Sequence, residues 1–498
     1  MSAPIRKVVV AGSGPVAWTA AAGLVRAMRR RELEVTVVDT GADDAPVGYW
    51  TLPSQRGIQS LLGINESHFV QGTGTTFRLA SEHVGWQGAG SRYLHAHGDI
   101  GRDLGGMPFY RYLQSEAMAG RAARPENFSV AGTAARMGRF ARPMGKDLTA
   151  SFTYGFHVEA MPYTRYLRSH AEQLGVRHGH APLAEVETHD GAISALRLED
   201  GSRVEGDLFL DCTGSAAHLL RRISDGARDD WSAWLPCDRM LSAIGPAMTN
   251  AAAMTQTIAA ESGWGWRAPL AERSMVGFVY SSLHLGDDAA LQALNGIEPA
   301  LRGEPLLTRF ASGRRRHFWV RNCVALGNAA VELEPLVGAS LHIAHLGLAT
   351  LVELFPRDCN STIEAAEYNR LLSEHADALR DFTIAHYRSS RAQAGPFWTA
   401  CLAEPPPARL VHKLDLYGAN GRIVLLDHET FEEVDWAWLL LGSGVLPSAL
   451  ELQARDAIAK LSPSEVAAMR ARVQQVADSM PTHAEFVRRQ IAPAAPTN

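Results

Sequence analysis

The sequence predicts an α/β fold organised around a Rossmann-like, dinucleotide-binding unit. Three observations carry that prediction. A glycine-rich turn stands between a short apolar strand and an Ala-rich helix. An acidic residue closes the strand that follows. Two further strands of buried character, far along the chain, end in loops suited to one extended cofactor lying across a sheet.

Val8-Val9-Val10-Ala11 is a β-branched apolar run of the kind that fills a buried parallel strand. Gly12-Ser13-Gly14-Pro15-Val16-Ala17 follows it, then a helical stretch from Trp18 to Arg30 and a second strand from Glu34 to Val38 that ends on Asp39. Gly12 permits the tight turn, Gly14 lets backbone N–H groups approach a pyrophosphate, and the small Ala17 lets helix and strand pack closely. Asp39 is placed to accept hydrogen bonds from an adenosine ribose. The fingerprint does not separate FAD from NAD. Val204 to Asp211 reads as another buried strand leading into Asp211-Cys212-Thr213-Gly214, and Asn322 to Gly327 as a third, with Glu334-Pro335-Leu336 in the loop beyond. Helical periodicity dominates Asn360 to Arg391. Ser462 to Arg488 reads as a closing helix pair, and the tail from Ile491 to Asn498 as frayed. Arg314-Arg315-Arg316-His317 reads as a solvated turn. No second glycine fingerprint sits between a strand and a helix, so if the dinucleotide is a flavin its electrons must come from the substrate or from flavin reduced elsewhere.

Composition narrows the function classes. The 498 residues are 46% hydrophobic and 20% charged, which excludes a disordered or collagen-like chain. A net charge of −5 gives no basic excess for nucleic acid or an anionic membrane. Cys212, Cys237, Cys323, Cys359 and Cys401 lack any metal-ligand spacing and read as buried thiols of a reducing cytoplasm. The longest apolar run, Leu341 to Phe355, is too short and too polar to span a bilayer, and Met1 to Lys7 has no secretory character. The expectation is a cytoplasmic protein with no metal, nucleic-acid or membrane site.

Gly263-Trp264-Gly265-Trp266-Arg267-Ala268-Pro269 is an unusual string, rigid and bulky, and here the sequence resembles the flavin-dependent tryptophan halogenases. Their signature is Gly-Trp-x-Trp-x-Ile-Pro, matched except at Ala268. The opening Gly12-x-Gly14-x-x-Ala17-Trp18, the Leu208-to-Gly214 strand end, Asn322-Cys323-Val324 with Leu333-Glu334-Pro335-Leu336, the stretch from Tyr387 to Trp398 and the Gly444-to-Pro447 turn resemble the family as well. The resemblance implies an FAD-binding box domain like that of class A flavin monooxygenases, expected over residues 1–400, with a smaller, mostly helical pyramid over 401–498. It implies FADH2 from a partner flavin reductase, O2, a halide, and an aromatic small-molecule or peptide substrate, with a homodimer as the family's habit. For the flavin it implicates Gly12, Gly14, Pro15, Val16, Ala17, Asp39, Gly48, Thr51, Pro53, Asp211, Gly214, Gly327, Glu334, Pro335, Leu336 and Gly338. Trp264 and Trp266 stand as a wall beside the flavin, and His95, His97, Trp436 and Trp438 as the substrate's aromatic neighbours.

The chemistry-bearing positions depart from the pattern. The family's halogen-carrying Lys corresponds to Arg78, and the Glu that polarises the halogen corresponds to Val337. A Lys amine can lose its proton and form a haloamine, whereas a guanidinium stays charged. An isopropyl group polarises nothing. In the Gly48-Tyr49-Trp50-Thr51-Leu52-Pro53 loop, Tyr49 and Trp50 either repack it or narrow the tunnel mouth. Three functions therefore stand open. The first is a non-halogenating flavin monooxygenase or oxidase on this scaffold. The second is a halogenase with Arg78 in place of the Lys, and the third a non-enzymatic flavin-binding partner.

Overall fold

Val8, Val9 and Val10 are buried in the middle of a six-stranded sheet. Strand β1 (Lys7–Ala11) pairs in parallel with β2 (Glu34–Val38) on one side and with Leu208–Asp211 on the other. The full order is Trp319–Val320, Cys323–Ala325, Leu208–Asp211, β1, β2, Arg177–His178. Helix α1 (Pro15–Ala27) joins β1 to β2 and buries Ala17, Ala20, Ala21 and Leu24. Burying Leu24 alone contributes about 2 kcal/mol.

The computed structural model describes residues 4–492 apart from 32, 42–45, 123, 180, 359–360 and 393–394. Cys359 and the end of the tail expected to fray, residues 493–498, lie outside the described residues. The chain divides into two units. The first comprises Met1–Gly74, Val158–Ser242 and Leu306–Asp377, and the second Thr75–His157, Ala243–Pro305 and Ala378–Asn498. The first unit holds the parallel sheet and a meander of Leu183–His189, Ala192–Leu198 and Arg203–Glu205. In the second, five neighbouring strands run Arg273–Tyr280, Gly263–Pro269, Met254–Ala260, Ala80–Val84, Arg92–Ala96. Their pairings are antiparallel except that of Met254–Ala260 with Ala80–Val84, which is parallel. Helices Pro396–Ala403, Ala408–Asn420, Glu433–Gly442, Leu452–Ala459, Pro463–Ser479 and His483–Ile491 follow in the same unit.

Several elements differ from expectation for local reasons. Helix α1 starts at Pro15 rather than Trp18, because Pro at the first helical position is pre-set for the helix and loses no needed N–H. The strand expected over Val204 to Asp211 breaks into Arg203–Glu205 and Leu208–Asp211. At the break, the Asp207 carboxylate accepts from the N–H groups of Arg6 and Lys7, both at 2.8 Å. Of the Arg314-to-His317 run, Arg316 and His317 are exposed as a solvated turn would have them, but Arg314 and Arg315 are not. Arg314 bridges Asp229 and Asp377 at 3.0 Å each, and the buried Arg315 donates to the Ala329 carbonyl at 2.6 Å. The alternation of a strand hands successive arginines to different partners. The helices Thr362–Ser389, Pro463–Ser479 and His483–Ile491 stand where periodicity places them, the last two each opened by a capping box. Cys212, Cys237, Cys323 and Cys401 are buried thiols outside any disulfide, and burial pushes the Cys323 thiol up from its ordinary value.

Candidate active site

In the first unit, the glycine-rich turn is shaped for a phosphate. Gly12 has φ +146°, and a Cβ there would stand 2.5 Å from the Cys212 carbonyl oxygen, so only glycine lets this turn lie against the neighbouring strand end. Helix α1 begins after Gly14 with no side-chain cap and no acidic residue in its first turn. Its first N–H groups are therefore left to an anion, and the dipole favours one there. Pro15, Val16 and Ala17 make that first turn, with Val16 packed beneath the left-handed Gly327. Asp39 accepts from the Ser13 hydroxyl and, at 3.0 Å, from the Gly41 N–H, which fixes its carboxylate beside the turn.

Asp211 is fully buried and spends both oxygens on backbone: Oδ1 on Thr213 and Oδ2 on the N–H groups of Leu219 and Leu220, at 2.8–3.1 Å. It shapes the loop that carries the left-handed Gly214. Gly48 opens the strand Gly48–Trp50, which leads into Thr51 and Pro53. The turn Pro335–Val337 follows Glu334 and ends on Gly338 at φ +72°. A Cβ on Gly338 would stand 2.7 Å from Trp50 Cδ1 and 3.0 Å from the Trp50 carbonyl oxygen. Trp50 is thus packed against the Gly338 backbone. Ser54 meets His342 Nδ1 at 2.7 Å, and burial lowers the His342 pKa to about 4. The open helix terminus, the glycine approaches and the fixed Asp39 fit an FAD. Leu336 and Val337 are both buried apolar groups of the same turn.

In the second unit, Arg78 ends the strand Thr76–Arg78 and is only 2% exposed. Its guanidinium donates to His97 Nε2 and to Ser81 Oγ, both at 2.7 Å. Burial lowers its pKa to about 9, which leaves it cationic at neutral pH. Because arginine only donates, His97 Nε2 must carry the lone pair, and His97 is neutral with its proton on Nδ1. Burial, then the Arg78 charge, pushes the His97 pKa well down, in agreement. An exposed histidine on a loop would be merely solvated. Instead His95 lies in the strand Arg92–Ala96, both rings are buried, and their centroids are 6.1 Å apart.

The His95 Nε2–H donates to Asp435 Oδ1 at 2.9 Å. Phe382 and Phe431, stacked at 3.8 Å, flank the same ring. Trp436 and Trp438 lie buried on the helix Glu433–Gly442, and their indole N–H groups donate to Glu429 at 3.0 Å and to the Gly98 carbonyl at 3.2 Å. Trp264 and Trp266 are fully buried on Gly263–Pro269; Trp264 donates to the Tyr387 hydroxyl at 3.0 Å. Trp266 lies over Gly277, where a Cβ would meet the indole at 2.4 Å.

Asp435, Ser81 and the buried His83, His157 and His386 escape sequence reasoning. His157 offers one nitrogen to Thr76 and the other to Thr255 at 3.1 and 2.9 Å, and His83 meets Thr257 at 2.8 Å.

Residues 7–458 match the family model described as tryptophan halogenase. The chain is similar to the tryptophan 7-halogenase RebH of Lentzea aerocolonigenes, 28% identical over 98% of this chain and 99% of that protein. Among solved structures it resembles Xcc4156, a flavin-dependent halogenase from Xanthomonas campestris, at 33% identity and a TM-score of 0.92, over 99% of this chain and 100% of that one. BrvH, a flavin-dependent halogenase from Brevundimonas sp. BAL3, gives 32% identity and a TM-score of 0.91 over 98% and 99%. The α/β class expected from the sequence is the class of these structures.

Proposed function

Because the chain belongs to the tryptophan halogenase family, whose members are flavin-dependent oxidoreductases working with FADH2 from a separate reductase, O2 and an aromatic substrate, we propose that this member transfers oxygen rather than halogen. The balance is substrate plus O2 plus FADH2 giving oxygenated substrate, water and FAD. Bound reduced flavin supplies the two electrons. The N-terminus of helix α1 with Gly12 and Gly14 would hold the pyrophosphate, Asp39 the ribose, and the Trp50–Gly338 contact would limit solvent at the other end.

The observation that carries the reading is the state of Arg78. A buried guanidinium clamped by His97 and Ser81 has no lone pair with which to take up a halogen. It is a fixed cation, suited to stabilising negative charge as it develops on oxygen. Val337 offers no carboxylate to assist halogen transfer. His95, held by Asp435, supplies an oriented imidazole that can accept or return a proton. Trp264 and Trp266 exclude water from their part of the sheet by bulk.

The test is a reaction with chemically reduced FAD, O2 and indole, with and without bromide, read by mass spectrometry. Product that gains one oxygen irrespective of bromide supports the reading. A brominated product overturns it. The retained Trp264–Trp266 string, and relatives that are halogenases, favour the second reading: halogenation with Arg78 donating a hydrogen bond to hypohalous acid.

A further inference from the structure

A cavity of about 1040 Å³ opens in the second unit. Its volume is at the upper end for small-molecule sites, of roughly 300–1,000 Å³. Buried Ile100 and Phe109, with Leu104, Leu148 and Met469, give it an apolar floor suited to an aromatic ring. The polar lining is unbalanced. Six carboxylates (Asp99, Asp103, Asp147, Glu432, Glu433 and Glu465) face two guanidiniums, Arg102 and Arg472. Asp147 is held chiefly by hydrogen bonds from Thr149 and Glu465 by those from Ser462, with Arg472 and Arg102 as the nearby positive charges at those edges. Asp99, Asp103, Glu432 and Glu433 are left as an acidic side.

Desolvation, then the charges of Asp103 and Glu432, raise the pKa of the Asp99 carboxyl, as expected where like charges crowd a cleft. Glu433 is held in place by the Tyr110 hydroxyl, which donates to it at 2.5 Å. The helix Glu433–Gly442 ties the cavity to the site above: Glu433 and Val434 line the cavity, and Asp435, next along, holds His95.

We propose that this cavity binds the substrate, and that it selects an aromatic molecule carrying ammonium groups and larger than a free amino acid. The proposal rests on the reading of the chain as an enzyme acting on aromatic substrates. The apolar floor takes the ring, and the acidic side takes the cations and repels carboxylates.

The test is calorimetric titration of the FAD-loaded protein with two probes, Lys-Trp-Lys amide and acetyl-Glu-Trp-Glu. The cationic probe is expected to bind at least about tenfold more tightly, a preference that shrinks in 0.5 M salt, roughly the range where screening becomes short. Asp99→Asn with Glu433→Gln is expected to reduce the preference to about twofold; Asp103→Asn, at the exposed rim, is expected to reduce it in part. Equal affinities, binding of neither probe, or a preference that survives the double substitution overturns the proposal. Turnover of neutral indole separates the two readings: oxygenation of indole without charge preference removes only the cavity assignment. Charge-selective binding without indole turnover removes only the reaction.

Discussion

The Arg78 guanidinium donates to His97 Nε2 at 2.7 Å, a contact possible only with a neutral imidazole as acceptor. A buried cation whose neighbour is forced neutral is costly to the fold, because desolvation opposes the charge and His97 cannot offset it. On the proposed reading the charge serves the reaction rather than the fold.

Arg78→Met is therefore expected to leave thermal stability unchanged or raised, while turnover falls by about 100-fold, the scale of losing one pre-organised donor to developing charge. Differential scanning calorimetry and a turnover assay measure the two sides. A variant that is both unstable and active would reverse the argument.

Arg78→Lys combined with Val337→Glu restores the groups that the family resemblance places at these positions. The expected outcome is brominated indole in the presence of bromide, where the parent gives none. Continued absence of bromination would mean that halogen handling has been lost elsewhere as well.

Gly338→Ala places a methyl group 2.7 Å from Trp50 Cδ1, closer than van der Waals contact allows, at a left-handed φ of +72°. FAD affinity is expected to fall about tenfold, equivalent to roughly 1.4 kcal/mol of strain expressed at the site. Gly201→Ala, at φ +82° with open space around it, is the control. It should cost about 1 kcal/mol of stability and leave FAD affinity alone. Equilibrium titration with FAD distinguishes them.

Acid sensitivity follows from the buried histidines. Burial lowers the pKa of His342 and His483 to about 4 and of His345 and His386 to about 3. Each is neutral when folded, but takes up a proton near pH 6.5 when unfolded. Their contribution is therefore full above that pH and is lost as pH falls toward the folded value, at about 1.4 kcal/mol per pH unit for each ring. Denaturant titrations between pH 7.5 and 5 should show His483→Asn flattening this slope by one proton. An unchanged slope would refute the assignment.

Legibility in the sequence followed the range of the interactions. Strand β1, helix α1 and Asp39 are readable because each depends on residues a few positions away. Arg78 is readable only by resemblance, and its environment not at all. His97 reaches it from 19 positions away and Asp435 reaches His95 across 340, while Ser81, only three positions on, carries no pattern that marks it as a partner. Likewise Arg314 looked like surface charge because Asp229 and Asp377, which bury its charge, are invisible to a local window. Asp207 broke an apolar run by capturing the N–H groups of Arg6 and Lys7, 201 and 200 positions away.

Trp266 and its glycines constrain how this sheet can be changed. A Cβ on Gly277 would fall 2.4 Å from the Trp266 indole, and one on Gly265 would fall 2.0 Å from Ile297 Cδ1. Gly277 cannot accept a side chain while the indole stays, Gly265 can do so only if the Ile297 side chain swings away, and removing the indole alone leaves a void above Gly277. Mutational routes through this region are therefore paired. A smaller residue at 266 opens the way for Ala at 277, each harmful alone and tolerated together. A library that varies these positions one at a time will find the region immutable, whereas one that varies them jointly will find it can be rebuilt.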